Sequence, residues 1–347
     1  PHTVAECKGF VGEGVETLVK RALPADQQDD KTIAEAVERM LAEYGRRWQD
    51  ATRPYEGVDV MLAGLRARGM KVGILSNKPH DFTRLTVEAF LGRWLATRGI
   101  GAPAATVGSK WGYTYTADWQ VALPEGQKHE VKAHSRPVLQ RQCKESRALL
   151  GEHLDLYQIH SATLESGVMN NTAVLGELAR LRESGLAIGF SVSGARQADT
   201  IRRALEIECD GVLLFSAVQA TWNLLEQSAT KALQEAHAAG MGVIVKEGLA
   251  NGRLTARNDE PDFQGKLARL QACANEQNCT VDSLALAAVV NQSFVDVVLS
   301  GATRVDHLKS NLAALRLAWD DALAGMLAEL AESAERYWHT RSQLAWN

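Results

Sequence analysis

The sequence predicts an α/β fold: an incomplete parallel (β/α)8 barrel preceded by an N-terminal helical subdomain. Three observations lead there. From residue 71 onward, short apolar runs alternate with helical patterns, which means a parallel sheet covered by helices, open or closed as a barrel. Seven such runs can be counted, one fewer than a closed barrel needs. Residues 10–68 show helical spacing broken by proline, glycine and polar runs, and a chain of 347 residues has room for a barrel of about 250 residues plus an attachment.

In chain order, Glu13–Ala22 places Val15, Leu18, Val19 and Leu23 at helical spacing, and Pro24 with the polar run 26–30 ends it. Thr32–Trp48 puts Ile33, Ala36, Val37, Met40, Leu41 and Tyr44 on one face. Pro54 and Gly57 interrupt, and Val58–Arg68 is a third helix. Lys71–Leu75 is the first apolar run, followed by an amphipathic stretch, Asp81–Arg98. The remaining strands are expected at Ala105–Gly108, Leu154–Ile159, Ala187–Ser191, Val212–Val218, Gly242–Val245 and Val295–Leu299. Helices are expected between and after them, at Ser135–Leu150, Asn171–Glu183, Ala195–Ile207, Leu225–Ala239, Val281–Asn291 and Val305–Leu317. The division is therefore 1–68, helical, and 69–347, barrel-like.

Composition excludes several classes. With 46% hydrophobic and 23% charged residues the chain is neither disordered nor a coiled coil. A formal net charge of −4 and scattered basic residues give no reason to expect nucleic acid. No apolar run approaches the roughly 18 residues of a membrane span, and the N-terminus is not a signal peptide. Beginning at Pro1 rather than Met leaves open a trimmed chain or one that starts inside a longer gene. Cys7, Cys143, Cys209, Cys273 and Cys279 form an odd set without metal spacing, so no metal site is expected and reduced thiols in a cytoplasmic protein are.

Chemistry-bearing residues gather at the expected strand C-termini, where α/β barrels hold their sites. Lys110 follows the run at 105–108, against the plain alternative of a lysine snorkelling at the rim. His160 ends the next strand and can donate a hydrogen bond or move a proton, although a lone strand-end histidine is more often structural. The run Val245–Leu254 ends a strand in a loop with two glycines. Ser300-Gly-Ala-Thr-Arg304 precedes a helix whose first N–H groups can bind phosphate, with Arg304 and His307 adding positive charge; the bland reading is turn chemistry alone.

Longer strings carry a resemblance. Leu91-Gly-Arg-Trp94, Gly108-Ser-Lys-Trp-Gly-Tyr-Thr-Tyr-Thr-Ala-Asp-Trp119, Asp155-Leu-Tyr-Gln-Ile-His-Ser161, Val218-Gln219, Lys246-Glu247 with Leu249-Ala-Asn-Gly-Arg-Leu254, and Ser300-Gly-Ala-Thr303 with Asn311 resemble an aldo/keto reductase over about residues 91–347. The resemblance implies a TIM-type barrel, NADPH laid across the strand C-termini, a small aldehyde or ketone substrate, and an Asp–Tyr–Lys–His tetrad. Lys110 and His160 match the tetrad lysine and histidine. Ser191 and Gln219 match residues that hold the nicotinamide amide, and Leu249 and Asn251 match the pyrophosphate loop. Gly301, Thr303, Arg304, His307 and Asn311 fall where the adenosine phosphate end sits. Two positions depart: Val192 stands where an amide is common, and Lys246 where an aromatic often stacks on the nicotinamide. The tetrad Asp and Tyr, in a pattern like D-x-A-x-x-Y-G, do not occur before Lys110.

What precedes Lys110 resembles another family. Gly9-Phe-Val-Gly-Glu-Gly-Val-Glu-Thr-Leu18, Arg53-Pro-Tyr-Glu-Gly57 and Lys71-Val-Gly-Ile-Leu-Ser-Asn-Lys-Pro-His-Asp-Phe82 are similar to phosphoglycolate phosphatases of the haloacid-dehalogenase superfamily, over about residues 8–90. Ser76 matches the phosphate-binding hydroxyl, but no D-x-D nucleophile occurs in the chain and the acidic Mg²⁺ site is missing, which leaves no route to a phospho-enzyme. The chain therefore reads as a chimera joined near Phe90-Leu-Gly92, with the phosphatase strand in the place of the second barrel strand. The expected function is NADPH-dependent carbonyl reduction impaired by the absent acid; replacement by Tyr113 or Tyr115 is the opposing reading, disfavoured because catalytic placement tolerates only ~0.5 Å. The alternatives are a phosphatase-like hydrolase remnant and a non-catalytic NADPH-binding fusion product. The sequence does not give the oligomeric state.

Overall fold

The computed structural model describes residues 2–3, 6–7, 15–47, 60, 80–101, 105–115, 130–302 and 304–344. The expected strand Lys71–Leu75, the helix Val58–Arg68 apart from Val60, and residues Ser76 and Thr303 lie outside them.

Two N-terminal helices, α1 (Val15–Ala22) and α2 (Asp30–Arg47), pack on each other, and a long α3 (His80–Arg98) leads into the barrel-like part. There follow β1 (Val107–Trp111), a hairpin of β2 (Tyr113–Tyr115) and β3 (Glu130–Lys132), α4 (Arg136–Leu150), β4 (Leu154–Ala162), α5 (Thr172–Glu183), β5 (Ala187–Val192) and α6 (Gln197–Leu205). A second hairpin, β6 (Glu208–Cys209) with β7 (Val212–Leu213), precedes β8 (Ala217–Thr221), α7 (Thr230–Ala238) and β9 (Gly242–Lys246). The chain ends in α8 (Gln264–Glu276), α9 (Val281–Val290), β10 (Val297–Val298), α10 (Val305–Ala313), α11 (Asp321–Ala328) and α12 (Ala334–Gln343).

Six strands form one parallel sheet in the order β1-β4-β5-β8-β9-β10, curled into a half-barrel. The incomplete (β/α)8 fold read from the sequence is thus present, with six parallel strands among the described residues. Aspartates pin both flanks of the sheet: the Asp155 carboxylate accepts from Val107 N at 2.7 Å, and Asp296 accepts from Val243 N at 2.8 Å.

Side chains alternate across a strand, and here the two faces differ sharply. Ile159, Phe190, Val218, Val243 and Val245 point outward and are fully buried beneath the covering helices in one continuous core. Leu156, Ala187 and Ile244 share the inward parity and are only half-buried. Gln158, Ser191, Gln219 and Thr221 also face inward. A second core of Leu224, Leu254, Phe263, Leu284, Leu327 and Tyr337 joins α8, α9, α11 and α12 to the loops beyond β8 and β9.

Several boundaries differ from the sequence expectation. The single strand expected at Val212–Val218 is two elements, because Asp210 and Gly211 take φ of 53° and 75° and turn β6 into β7 before the chain enters β8. That pair is a hairpin turn signal. The strand expected at Ala105–Gly108 runs instead from Val107 to Trp111, so Lys110 lies within it. β4 continues past His160 to Ala162, with a register shift and Ser161 at φ 52°. Helices α8, α11 and α12 were not expected at all.

The α3 helix is fixed to the sheet by buried Glu88, which accepts from Ser109 Oγ at 2.5 Å and Ser146 Oγ at 3.0 Å. Beside it Gly92 lets α3 approach α4: a Cβ there would run into the Leu149 carbonyl oxygen and lie 3.3 Å from Leu150 Cα. Gly92→Ala should destabilise by about 1–3 kcal/mol. Gly176→Ala, where a Cβ meets nothing within 4 Å in α5, should be neutral or stabilising by up to about 1 kcal/mol. Urea midpoints for the two variants check this, and similar midpoints would contradict the close approach of α3.

Candidate active site

The inner face and the strand ends beyond it gather most of the residues singled out in the sequence. Lys110 on β1 pairs in register with Gln158 on β4, so both side chains share the concave face. Burial first, and the nearby Lys246 ammonium second, bring the Lys110 amine down to about 8. Among the described residues Lys110 has neither a hydrogen-bond acceptor nor an ion-pair partner.

His160 follows on β4. Its ring lies edge-on to Tyr113, with centroids 4.7 Å apart, and Lys132 sits 5.5 Å over the Tyr113 ring. Burial raises the Tyr113 hydroxyl above its ordinary value, against a hydrogen bond with Ser161 that lowers it. The His160 carbonyl accepts from His134 Nε2 at 2.9 Å, which assigns the His134 proton to that nitrogen. Burial brings His134 down to about 4, so the ring is neutral. Gly112 makes room for it: its φ is 116°, and a Cβ there would lie 2.7 Å from His134 Nε2.

Ser191 and Gln219 are register partners on β5 and β8 and are 2% and 3% exposed. Ser191 Oγ accepts from Ser161 N at 2.8 Å and donates towards Ile159 O at 3.4 Å. Gln219 Nε2 is buried with no acceptor among the described residues. Left so, a buried amide donor costs about 1–3 kcal/mol; an acceptor from a bound molecule would remove that cost.

Thr221 and Lys246 are the next register pair, and Lys246 Nζ donates to Thr221 Oγ1 at 2.7 Å. Lys246 Nζ also lies 3.8 Å from the Glu247 carboxylate and 5.6 Å over the Trp338 ring. Glu247, at φ 57°, accepts from Arg341 Nη2 at 3.0 Å and from Tyr337 Oη at 3.3 Å, while its carbonyl accepts from Asn223 Nδ2 at 2.9 Å. Burial alone would raise the Glu247 carboxyl, but Lys246 and Arg341 outweigh it and hold it below its ordinary value. Burial lowers the Lys246 amine, and Glu247 opposes that.

After β9 the loop turns through Ala250 and Asn251 at φ 49° and 55°. Leu249 packs against a small cluster of Leu286, Ala287 and Ala314, which sets this loop against α9 and the turn that follows α10. Asn251 is exposed. Beyond β10, Gly301 is exposed and Asn311 Nδ2 donates to Ser300 Oγ at 2.8 Å. Arg304 precedes α10 and pairs with Asp306 at 3.0 Å on the surface, and His307 is half-buried in the first turn of α10.

The sequence reading missed Gln158, Thr221, His134, Asn223 and the Glu247–Tyr337–Arg341 cluster. The last needed α12, whose signal is present: Ser333 caps it by accepting from Arg336 N, and Tyr337 and Arg341 stand one turn apart on one face.

A half-barrel of parallel strands with its polar groups at the concave face and the strand C-termini is the arrangement in which α/β barrels hold their sites. Over residues 19–332 the chain matches the Aldo/keto reductase family, and it belongs to that family. It is 27% identical over 210 residues to the NADH-specific methylglyoxal reductase of Escherichia coli K12, a match covering 53% of this chain and 61% of the relative. A phosphoglycolate phosphatase of Cereibacter sphaeroides is 35% identical over 92 residues, 26% of this chain and 42% of the phosphatase. The chain thus spans less than half the length of that phosphatase and under two thirds of that reductase. Two solved structures share the fold: an aldo-keto reductase from Bacillus halodurans in its holo form (TM-score 0.56, 19% identity, 74% of this chain and 82% of that one) and a glycerol dehydrogenase from Gluconobacter oxydans (TM-score 0.54, 21% identity, 70% and 76%). No described helix is long and apolar enough to cross a membrane.

The Glu247 cluster generates a prediction. Its carboxyl is held below its ordinary value of 4.5, so its contribution to stability is full above that pH and lost as pH falls through the lower folded value. Glu247→Gln should cost about 1–2 kcal/mol at pH 7, less than a fully buried pair because Arg341 is 43% exposed. The difference between the urea melts of the two proteins should shrink as pH falls below 4.5. A gap that does not narrow on acidification would show that the cluster acts through packing rather than charge.

Proposed function

We propose that this chain binds NADPH across the C-terminal ends of its strands and reduces small aldehydes or ketones slowly, because the family's proton donor is absent. The observation that carries the reading is the buried, unpartnered Gln219 Nε2 on the same concave face as Lys110, beside Ser191: a carboxamide carbonyl is an acceptor of the kind it lacks. The residues therefore fit the nicotinamide end, with Ser191 and Gln219 holding the amide. Leu249 and Asn251 are assigned to the pyrophosphate, and Gly301, Thr303, Arg304, His307 and Asn311 to the adenosine phosphate. When bound, the cofactor supplies a hydride.

Lys110 and His160 orient and polarise a carbonyl oxygen at the concave face. At pH 7 Lys110 is mostly cationic, which favours negative charge developing on that oxygen. Tyr113 touches His160, yet burial raises its hydroxyl and makes it a poorer acid, so the proton comes slowly. The methylglyoxal reductase relative is named NADH-specific, whereas Arg304 and His307 favour the 2′-phosphate of NADPH. The Arg304–Asp306 pair is exposed and gives way to a phosphate at little cost. Residues 1–68 are assigned to a phosphatase-cap-like helical segment and 69–347 to the reductase-like part. Five free cysteines fit a reducing cytoplasm.

Arg304→Ala should weaken NADPH more than NADH in fluorescence-quenching titrations; equal loss would show that Arg304 only supports its loop. Turnover of 4-nitrobenzaldehyde should fall about 10²–10⁴-fold below that of an enzyme with its acid intact, and Lys110→Met should change it little because members of a catalytic unit are non-additive. A rate within the common ~1–10³ s⁻¹ range, abolished by Lys110→Met, would mean that Tyr113 or another group supplies the proton.

A further inference from the structure

Lys110 is placed unlike any other lysine described in the chain. It projects from β1 into the concavity, half-buried, in register with Gln158, whose Oε1 is buried without a partner among the described residues. Neither a carboxylate nor a hydroxyl meets its amine among the described residues. Across the sheet Lys246 faces the same space, but its ammonium is held by Thr221 Oγ1, Glu247 and the Trp338 ring, and Glu247 is backed by Arg341 and Tyr337. Of the two facing amines Lys246 is thus held by a hydrogen bond and an ion pair, whereas Lys110 has no such partner among the described residues.

We propose that Lys110 is an amine nucleophile that forms an imine with small carbonyl compounds entering the concavity. The amine lone pair attacks the carbonyl carbon, and the C=O π electrons pass to oxygen, which takes a proton from water. The nitrogen gives up both its protons through water, the first restoring the water that protonated the oxygen and the second allowing that oxygen to leave as water while the C=N bond forms, so amine plus carbonyl yields imine plus water with no change of oxidation state. An amine near 8 leaves about a tenth of Lys110 neutral at pH 7, far more than an ordinary lysine, and the like charge of Lys246 contributes to that. The charged neighbours that set it are Lys246 directly, and Glu247 and Arg341 through Lys246. The step needs no nicotinamide nucleotide, so it stands or falls separately from the reductase reading.

The test uses the full chain without nucleotide. It is incubated briefly with 4-nitrobenzaldehyde and sodium cyanoborohydride, which reduces an imine to a stable secondary amine, and the modified lysines are mapped by peptide mass spectrometry. At pH 7 Lys110 should be labelled at least about tenfold faster than exposed Lys231 and Lys309. Imine formation, read at each pH by a short exposure to the aldehyde followed by excess borohydride at one fixed pH, should rise with a midpoint near pH 8. Lys246→Met, by removing the like charge, should move that midpoint upward and slow labelling at pH 7 while leaving the rate at pH 10.5 unchanged. The wild-type pH profile alone decides the matter if that variant does not fold. Labelling of Lys110 no faster than Lys231, a midpoint near 10, or preferential labelling of Lys246 would overturn the proposal.

Discussion

The alternation of side chains across the six-stranded sheet is the constraint on which the rest of this structure depends. Its outer face carries Ile159, Phe190, Val218, Val243 and Val245, all fully buried against helices. Each such side chain contributes about 1.5–3 kcal/mol, so the sheet is stabilised from outside and does not rely on strands closing the barrel. The inner face is thereby released from packing duty. Gln158, Ser191, Gln219, Thr221, Lys110 and Lys246 occupy it, and the apolar positions left there, such as Leu156 and Ile244, are only half-buried.

A second constraint lies in the loop that leaves β9. Glu247, Ala250 and Asn251 all take left-handed backbone conformations, which cost non-glycine residues about 1–3 kcal/mol each. The loop keeps that shape because Glu247 is gripped from three directions, by Asn223 at its carbonyl and by Tyr337 and Arg341 at its carboxylate. Tyr337 is itself buried in the second core, and Arg253, after the loop, forms a double hydrogen bond with Glu332 just ahead of α12. The C-terminal helix thus sets the backbone on which Lys246, Leu249 and Asn251 stand. Lys246, a departure from the aromatic expected there, belongs to this charge network rather than to a stacking surface.

The sheet was legible because its signal is local: apolar runs such as Leu154–Ile159 and Ala187–Ser191 are bounded by polar and glycine-containing turns, and each appears as a strand within a few residues. The error at Val212–Val218 arose because the apolar run continues from β7 through Leu214 and Phe215 almost to β8, so hydrophobicity marks no boundary between the two strands. The roles proposed for Lys110 and His160 rest on strings of neighbouring residues. The Glu247–Arg341 contact was not legible, because 94 positions separate the partners and no spacing rule reaches so far. Gln219 was assignable by position, yet its missing acceptor emerges only once β5 and β9 flank it and bury its amide.

The polar concave face and its fit to a nicotinamide are tested most directly at that amide. Binding of NADPH and of 2′,5′-ADP, which shares the adenosine phosphates but has no nicotinamide, should be measured for the wild-type chain and for Gln219→Leu. The unmade hydrogen bond predicts an NADPH affinity lowered about 5- to 20-fold by the substitution, with 2′,5′-ADP unchanged. Equal effects on both ligands, or none on either, would contradict the placement of the nicotinamide against the inner face of the half-barrel.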